Sequence, residues 1–172
     1  AIESVDDFYN LAIRTGTNPV ALDTFKAVGA NPVGMLIDQF RDAMNSKTVQ
    51  AGETTYPRFF SMGHHENAKY INHTEHSLFL TSIVMSSKAW AEMSKEDQEI
   101  FAEAAVRAAR IEREESLADI DRVQREAADM NIPTVTMTAA QRQRFMDQTR
   151  TIYGKYETFF ADNLLNDIVK LH

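Results

Sequence analysis

The sequence contains no cysteine among its 172 residues. That absence excludes a disulfide framework, a thiolate zinc site and a cysteine nucleophile. Glycine and proline are scarce, with 6 and 4 residues, which excludes collagen-like and low-complexity classes. The longest strongly apolar stretch, residues 78–85, is interrupted by Thr81 and Ser82. Because a helix needs about 20 apolar residues to span a bilayer, this stretch is too short to cross one.

Clusters of positive charge are missing as well. The chain has 18 basic and 25 acidic residues, which gives a net charge of −7, and no basic run is longer than two residues. Proteins that bind nucleic acids in general use basic clusters to displace counterions from the phosphates. We therefore expect no nucleic-acid partner.

Short strands and short helices alternate over the first 85 residues. Strands are predicted over residues 11–14, 32–37, 48–51, 69–72 and 77–85, and helices from Pro19 onward, over 38–45 and over 56–62. Asn18 precedes Pro19 as a candidate N-cap. Alternation of this kind indicates an α/β layer with at least partly parallel strands.

Residues 94–130 contain neither glycine nor proline and predict one long amphipathic helix. About 36 residues at 1.5 Å each give a length of about 54 Å. A domain of this size has a radius of gyration of only about 16 Å, so the helix must kink or extend beyond the body formed by the first half. A strand over 132–137 and one or two C-terminal helices over 138–172 complete the prediction.

Motifs of the known catalytic classes are not found. There is no glycine-rich phosphate loop, no nucleophile elbow and no His-Glu-x-x-His, so an enzyme has little support and no cofactor is predicted. Histidines cluster at positions 64, 65, 73 and 76, and imidazole is a common metal ligand. Because no further ligands are defined, hydrogen-bonding or surface histidines are favoured over a metal site. Glu53 and Arg58, taken alone, are typical of a solvated polar loop.

Arg14 is the most informative single residue. It ends a predicted strand, just before a turn of threonine, glycine and asparagine. Ligands of open α/β sheets gather at the carboxyl ends of the strands, and a guanidinium presents a planar fork that matches a carboxylate in two hydrogen bonds. Anion binding and an ordinary surface arginine both remain open on this pattern alone.

Several segments, in order and at compatible spacing, resemble the solute-binding proteins of TRAP transporters, the DctP-like extracytoplasmic receptors for organic acids. SVDDFYNLAIR, which ends at Arg14, resembles the family's s-x-x-D-l-k-G-l-k-i-R, and FKAVGANPVGM resembles f-k-a-l-G-a-n-P-v-p-M. AMNSKTVQAGE, which ends at Glu53, takes the place of a-L-q-x-G-x-V-D-G-x-E. Thr74 to His76 resembles t-n-H, and MSSKAWAEMSKEDQ resembles l-x-S-k-k-x-w-d-x-L-s-x-e-d-Q.

The resemblance implies a set of ligand-binding residues. The family's carboxylate-clamping arginine falls on Arg14, and the hydrophobic residue that packs the ligand falls on Ile37. The family's Glu-Asn pair falls on Glu53 and Thr54, and the proline that follows is replaced by Thr55. A threonine hydroxyl reaches less far than an asparagine amide and donates one hydrogen instead of two. We expect these last three residues to form a polar wall opposite the arginine.

The resemblance also implies two lobes that close over a ligand. Residues 1–93 are expected to form the second, α/β lobe, with the mixed sheet of a periplasmic-binding-protein-like fold. Residues 94–172 are expected to supply a long spanning helix, a short strand and C-terminal helices that pack back on the lobe. The N-terminal lobe is expected to be absent from this chain.

The implied function is that of a periplasmic receptor fragment. It would capture a small organic acid for the membrane components of a TRAP transporter, by hinge closure and without chemical conversion. A second hypothesis is a ligand-free half that associates with itself as a structural domain.

Self-association is a testable expectation for this chain. Without a first lobe, the helix positions Leu117, Ile120, Val123 and Met130 are expected to lose their cover. A few hundred Å² of apolar surface at about 25 cal/mol per Å² corresponds to roughly 5–10 kcal/mol before association entropy is subtracted. We expect a two-fold homodimer through the long helices or the strand over 132–137. Sedimentation at micromolar concentration should show it, and a monomer with this stripe exposed would contradict it.

Overall fold

The computed structural model describes residues 1–161 and 164–170 as an α/β fold with a long helix. The strands are β1 (Ala12–Thr15), β2 (Asn31–Gly34), β3 (Ala51–Gly52), β4 (Ile71–His73) and β5 (Thr134–Thr136). The helices are α1 (Pro19–Ala27), α2 (Phe40–Asn45), α3 (Tyr56–Ser61), α4 (Ser87–Glu92), α5 (Lys95–Asp129), α6 (Ala139–Thr149), α7 (Tyr153–Tyr156) and α8 (Leu164–Val169). The predicted α/β class is confirmed. The C-terminal helices predicted over 138–172 include residues 162–163 and 171–172, which lie outside the described residues.

Two parallel sheets carry the strands. In the first, β1 lies between β2 and β3, so that Arg14 is paired with Val33 on one side and with Gly52 on the other. In the second, β4 pairs with β5. All of these pairings are parallel, and the three strands of the first sheet therefore end at the same edge.

Helix α1 begins where the sequence predicts it. Asn18 caps the helix, because its side chain accepts a hydrogen bond from the amide of Val20 at 2.8 Å. Pro19 follows in the first turn, where its missing N–H would have no partner in any case. The cap thus turns the chain sharply after β1 and leaves the segment from Thr15 to Asn18 at the edge of the sheet.

In the part of the chain that the structure describes, three apolar clusters form the core. The largest lies under the first sheet and contains Val5, Phe8, Ile13, Phe25, Val28, Ala30, Met137 and Phe145. The second joins α3 to the end of α5 and contains Phe59, Val123, Ala127 and Ile132. The third lies beside β3 and contains Phe40, Ala43 and Val49.

Helix α5 has 35 residues and begins after Ser94, whose side chain accepts a hydrogen bond from the amide of Asp97. The single long helix predicted from the sequence is confirmed. One detail is wrong: Val123 is completely buried in the α3–α5 cluster, although it was expected to lose its cover. Leu117 and Met130 are 63% and 51% exposed. The homodimer remains a prediction, with a smaller apolar stripe to support it.

The strand predicted over residues 77–85 is wrong. This segment has no regular structure, and its apolar side chains Leu78, Leu80 and Val84 are 80%, 77% and 86% exposed. Its β-branched and aromatic composition suits a strand, but a strand also needs a neighbour to pair with. Within residues 1–161 and 164–170 it has none. None of the described helices is both long and apolar enough to traverse a membrane.

Gly52 marks a close approach between β3 and α2. A Cβ added to Gly52 would overlap Cζ and Cε2 of the Phe40 ring, which is itself buried and lies edge-on to His64 with ring centroids 4.8 Å apart. Because that ring has little room to move, Gly52→Ala should lower the free energy of unfolding by about 1–3 kcal/mol.

Chemical denaturation measures this loss, and Gly154→Ala in α7 is the matched control. A Cβ at Gly154 meets no atom within 4 Å, and alanine suits a helix better than glycine, so the control should unfold at the wild-type denaturant concentration or slightly above it. A Gly52→Ala curve that overlies the wild-type curve would show that the Phe40 ring is free to move aside.

Candidate functional site

Arg14 lies at the carboxyl edge of the first sheet and is only 7% exposed. Its guanidinium donates to two backbone carbonyls. Nε and Nη2 donate to the oxygen of Met35 at 3.2 and 2.8 Å, and Nη1 donates to the oxygen of Glu53 at 3.2 Å. Met35 follows β2 and Glu53 follows β3, so one side chain joins the ends of all three strands. Each terminal nitrogen of Arg14 keeps a second N–H beyond these bonds.

The charges around Arg14 oppose one another. Burial lowers the pKa of the Arg14 guanidinium, the carboxylate of Glu53 raises it, and the nearby charge of Arg58 lowers it. An arginine nevertheless stays protonated in proteins. Arg14 is therefore a largely buried, permanent cation whose immediate hydrogen-bond partners are neutral carbonyls.

Glu53 lies beside Arg14 at this edge of the sheet, and the polar wall expected of Glu53, Thr54 and Thr55 stays a prediction. The reason for the position of Glu53 is the register: Gly52 is paired with Arg14, and the next residue therefore follows the same edge of the sheet. One carboxylate oxygen accepts from the amide of Gly16 at 3.2 Å. The other contacts Nε2 of His76, also at 3.2 Å.

The carboxylate of Glu53 is stabilised in its ionised form. Burial raises the pKa of Glu53, but the hydrogen bonds from His76 and from the amide of Gly16 lower it, as do the charges of His76 and Arg14. The balance leaves the pKa below its ordinary value. Glu53 thus acts as a fixed negative charge that holds the turn after β1 in place.

The other expected ligand residues flank these two. Ile37 is half-buried and opens the 3-10 turn of Ile37–Gln39, two residues after Met35. Thr54 is exposed and Thr55 is half-buried just before α3. Within the described part of the chain, neither threonine hydroxyl has a hydrogen-bond partner. The structure thus brings Arg14 and Glu53 into contact and leaves the two hydroxyls available.

His76 is a member of the site that the residue pattern alone did not assign. Its ring packs edge-on against Phe25, with centroids 5.1 Å apart. A carboxylate can only accept, so Nε2 of His76 carries the hydrogen that Glu53 receives, and in the neutral ring Nδ1 then accepts from the hydroxyl of Thr74 at 2.7 Å. The signal for His76 in the sequence was the segment from Thr74 to His76, which resembles the family motif t-n-H.

The remaining histidines of the cluster have separate surroundings. His73 contacts the hydroxyl of Tyr56 at 2.6 Å and Glu75 at 2.9 Å. His64 is buried, and neither of its ring nitrogens has a hydrogen-bond partner among the described residues. In that same part of the chain, no three or more histidine, aspartate or glutamate side chains are placed to hold a metal ion.

A cavity of about 720 Å³ adjoins the site between β3 and β4. It is lined by Gly52, Glu53, His64 and Asn72, among others, but not by Arg14. Glu53 therefore stands at the boundary between this cavity and the arginine.

The lowered pKa of Glu53 predicts a pH dependence of stability. A carboxyl group whose pKa is lower in the folded than in the unfolded chain stabilises the fold fully above its unfolded pKa of about 4.3, and the stabilisation is lost as the pH falls through the folded pKa. Between about pH 5 and pH 3, wild type should therefore lose more unfolding free energy than Glu53→Gln does.

Denaturation midpoints at each pH provide the comparison, because the other carboxylates are common to both proteins. Glu66→Gln serves as the control, since Glu66 is 54% exposed and, among the described residues, pairs only with Arg41, at 3.6 Å. Its profile should follow that of wild type. Parallel profiles for wild type and Glu53→Gln would contradict the role given to this carboxylate.

Comparisons with known proteins agree with this architecture. The family model described as bacterial extracellular solute-binding protein, family 7, matches residues 1–158. The ectoine-binding periplasmic protein TeaA of Halomonas elongata is 26% identical over 157 residues, which are 90% of this chain and 46% of that protein. The C4-dicarboxylate-binding periplasmic protein DctP of Vibrio cholerae is 22% identical over 160 residues, 92% of this chain and 48% of that protein.

A solved structure shows the same likeness. The TRAP periplasmic solute-binding protein of Bradyrhizobium sp., in complex with α/β-D-galacturonate, superposes with a TM-score of 0.85 at 30% identity, covering 98% of this chain and 54% of that one. The chain spans between a third and a half of the length of the curated relatives it matches. Because the family model matches nearly the whole chain, this protein belongs to the family 7 bacterial extracellular solute-binding proteins.

Proposed function

We propose that this chain is the second lobe of a periplasmic receptor that captures a small organic acid for the membrane components of a TRAP transporter, without converting it. Residues 1–93 form the ligand-binding lobe, and residues 94–172 form the helix, strand and C-terminal helices that pack back on it. The observation that carries the proposal is the buried cation of Arg14, held at the carboxyl edge of a parallel sheet where ligands of open α/β sheets gather.

Arg14 is prepared for a carboxylate before the ligand arrives. The carbonyl oxygens of Met35 and Glu53 fix the plane of the guanidinium, so little rotamer freedom is left to lose on binding. Nη1 and Nη2 each keep a second N–H, and two such donors can bind the two oxygens of a carboxylate. The ligand's acid group therefore binds to the end of the guanidinium.

The residues around Arg14 supply the rest of this wall. Thr54 offers its exposed hydroxyl to a ligand oxygen, directly or through water. Ile37, at the opening of the 3-10 turn, provides apolar contact for the carbon skeleton. Glu53 faces Gly16 and His76 instead of the ligand, and it positions the turn after β1.

The relatives support this class of ligand and a second wall. One is named for ectoine and another for C4-dicarboxylates, and the superposed Bradyrhizobium protein holds galacturonate. Each is about twice as long as the stretch it shares with this chain. In the proposed receptor, the part of the protein that corresponds to the rest of these relatives closes over Arg14 and excludes water, which strengthens an ion pair.

A second candidate function is a ligand-free half that associates with itself. The exposed apolar side chains of Leu78, Leu80 and Val84 favour it, since soluble proteins rarely leave contiguous apolar surface open. It predicts a dimer and no affinity for acids, whereas the receptor predicts affinity for an acid that depends on Arg14.

Calorimetric titration with organic acids tests the receptor. It uses the full-length gene product, or the 172-residue chain with millimolar acid if the gene encodes nothing further. Arg14→Ala should weaken binding of the cognate acid by about 2–5 kcal/mol, because a desolvated ion pair with two hydrogen bonds is lost.

Arg14→Lys separates binding from folding, because it keeps the charge and loses the planar fork. It should weaken binding while a denaturation curve stays closer to wild type than that of Arg14→Ala, in which the carbonyls of Met35 and Glu53 lose their donor. Wild-type affinity in both variants would remove Arg14 from the site.

A further inference from the structure

Arg58 carries a charge for which the described residues supply no acidic partner. It lies in α3, four residues after Thr54, and is half-buried rather than part of a solvated loop. Its guanidinium stacks on the ring of Phe79, with the Arg58 Cζ 4.7 Å from the ring centroid. Among the residues that the structure describes, no carboxylate forms an ion pair with it, although the chain carries a net charge of −7.

Arg58 is also close to the other cation of the site: the guanidinium of Arg14 donates to the carbonyl of Glu53, and the amide of Arg58 donates to the carbonyl of Thr55, two residues further along the chain. Its charge contributes to lowering the pKa of Arg14, after burial, and it contributes likewise at His64, where burial and the charge of Arg14 act more strongly. Glu53 is the nearby carboxylate, but its two oxygens are engaged by Gly16 and His76. Two arginines therefore repel each other at this edge of the sheet, and no carboxylate in the described part of the chain bridges them.

We propose that Arg58, stacked on Phe79, is a second anion-binding residue of this site and contacts the same acid group of the ligand as Arg14. The inference rests on the proposed function, because it presumes that an acid binds at Arg14. It adds a ligand contact from α3 to the contacts proposed for Ile37, Thr54 and Thr55. It also assigns a role to Phe79, which is 56% exposed on the segment that follows His76.

The stacking explains how Arg58 can be directed at a ligand. The ring of Phe79 covers one face of the Arg58 guanidinium. Because the N–H groups of the guanidinium lie in its plane, stacking does not occupy them. Stacking fixes the plane of the Arg58 guanidinium without using its donors, whereas the carbonyls of Met35 and Glu53 fix the plane of Arg14 by accepting hydrogen bonds from it. A single acid group between the two arginines would replace their repulsion by two attractions.

Substitutions at Arg58 test the inference by calorimetry on the same protein as above. The probes are galacturonate, ectoine, succinate and butyrate. For the probe that wild type binds most tightly, Arg58→Ala should raise the dissociation constant on the order of tenfold to a hundredfold, and Arg58→Lys should raise it less, since the charge is kept and the planar edge is lost. Phe79→Leu should raise it about two- to fivefold, because only the stacking contact is removed.

Arg41→Ala is the matched control. It removes the same charge from the same lobe, but Arg41 is 51% exposed and pairs with Glu66 on the surface, so the dissociation constant should stay within about twofold of wild type. A circular dichroism spectrum of each variant, compared with wild type, verifies that α3 and its surroundings still fold.

A double-mutant cycle tests whether both arginines hold one acid group. In the Arg14→Lys background, Arg58→Ala should raise the dissociation constant by a smaller factor than in the wild-type background, because contacts to a shared group are not independent. If wild type binds a probe and Arg58→Ala binds it as tightly as Arg41→Ala does, the inference is overturned and the proposed function stands. If wild type binds none of the probes, the proposed function itself fails.

Discussion

The guanidinium of Arg14 joins the ends of the three strands of the first sheet, and the rest of the site depends on that connection. β1 is the middle strand, and the residues that follow its two neighbours, Met35 and Glu53, both present their carbonyl oxygens to its arginine. A lone buried charge would be costly. Three hydrogen bonds to carbonyls hold this one in place, and in the proposed receptor its remaining N–H groups bind the acid group of the ligand.

The apolar clusters of the core support the charged residues around Arg14. Glu53 and His76 form a pair behind the turn after β1, and the ring of His76 rests on Phe25 of the largest apolar cluster. The pair is thus supported by packing as well as by hydrogen bonds. On the other side, Phe59 joins α3 to the buried end of α5, so the long helix fixes the position from which α3 presents Arg58.

Local patterns predicted the elements whose cause is local. Asn18 and Pro19 mark the start of α1 because a cap and a fixed backbone angle act within one turn, and the absence of glycine and proline over 94–130 marks α5 for the same reason. The strand over 77–85 was wrong because composition supplies a tendency but no partner. Val123 was misplaced because periodicity shows a face of the helix and not what covers it.

The site could be predicted only in part, because some of its contacts join residues that are far apart in sequence. Arg14 was a candidate because of its place at the end of a predicted strand, and the family resemblance added Glu53, Thr54, Thr55 and Ile37 as further candidates. The pairing of Glu53 with His76 joins residues far apart in sequence, and the stacking of Arg58 on Phe79 does likewise, so both arise only in the folded chain. The register of β3 against β1 decides that Glu53 stands beside the arginine, and a one-residue shift would have placed it elsewhere.

The most direct measurement is a crystal structure of the full-length gene product, or of this chain if the gene encodes no more, with a bound organic acid. We expect a carboxylate within about 3 Å of Nη1 and Nη2 of Arg14, with the bonds from Arg14 to Met35 and Glu53 still in place. An acid bound in the cavity between β3 and β4, with no contact to Arg14, would contradict it.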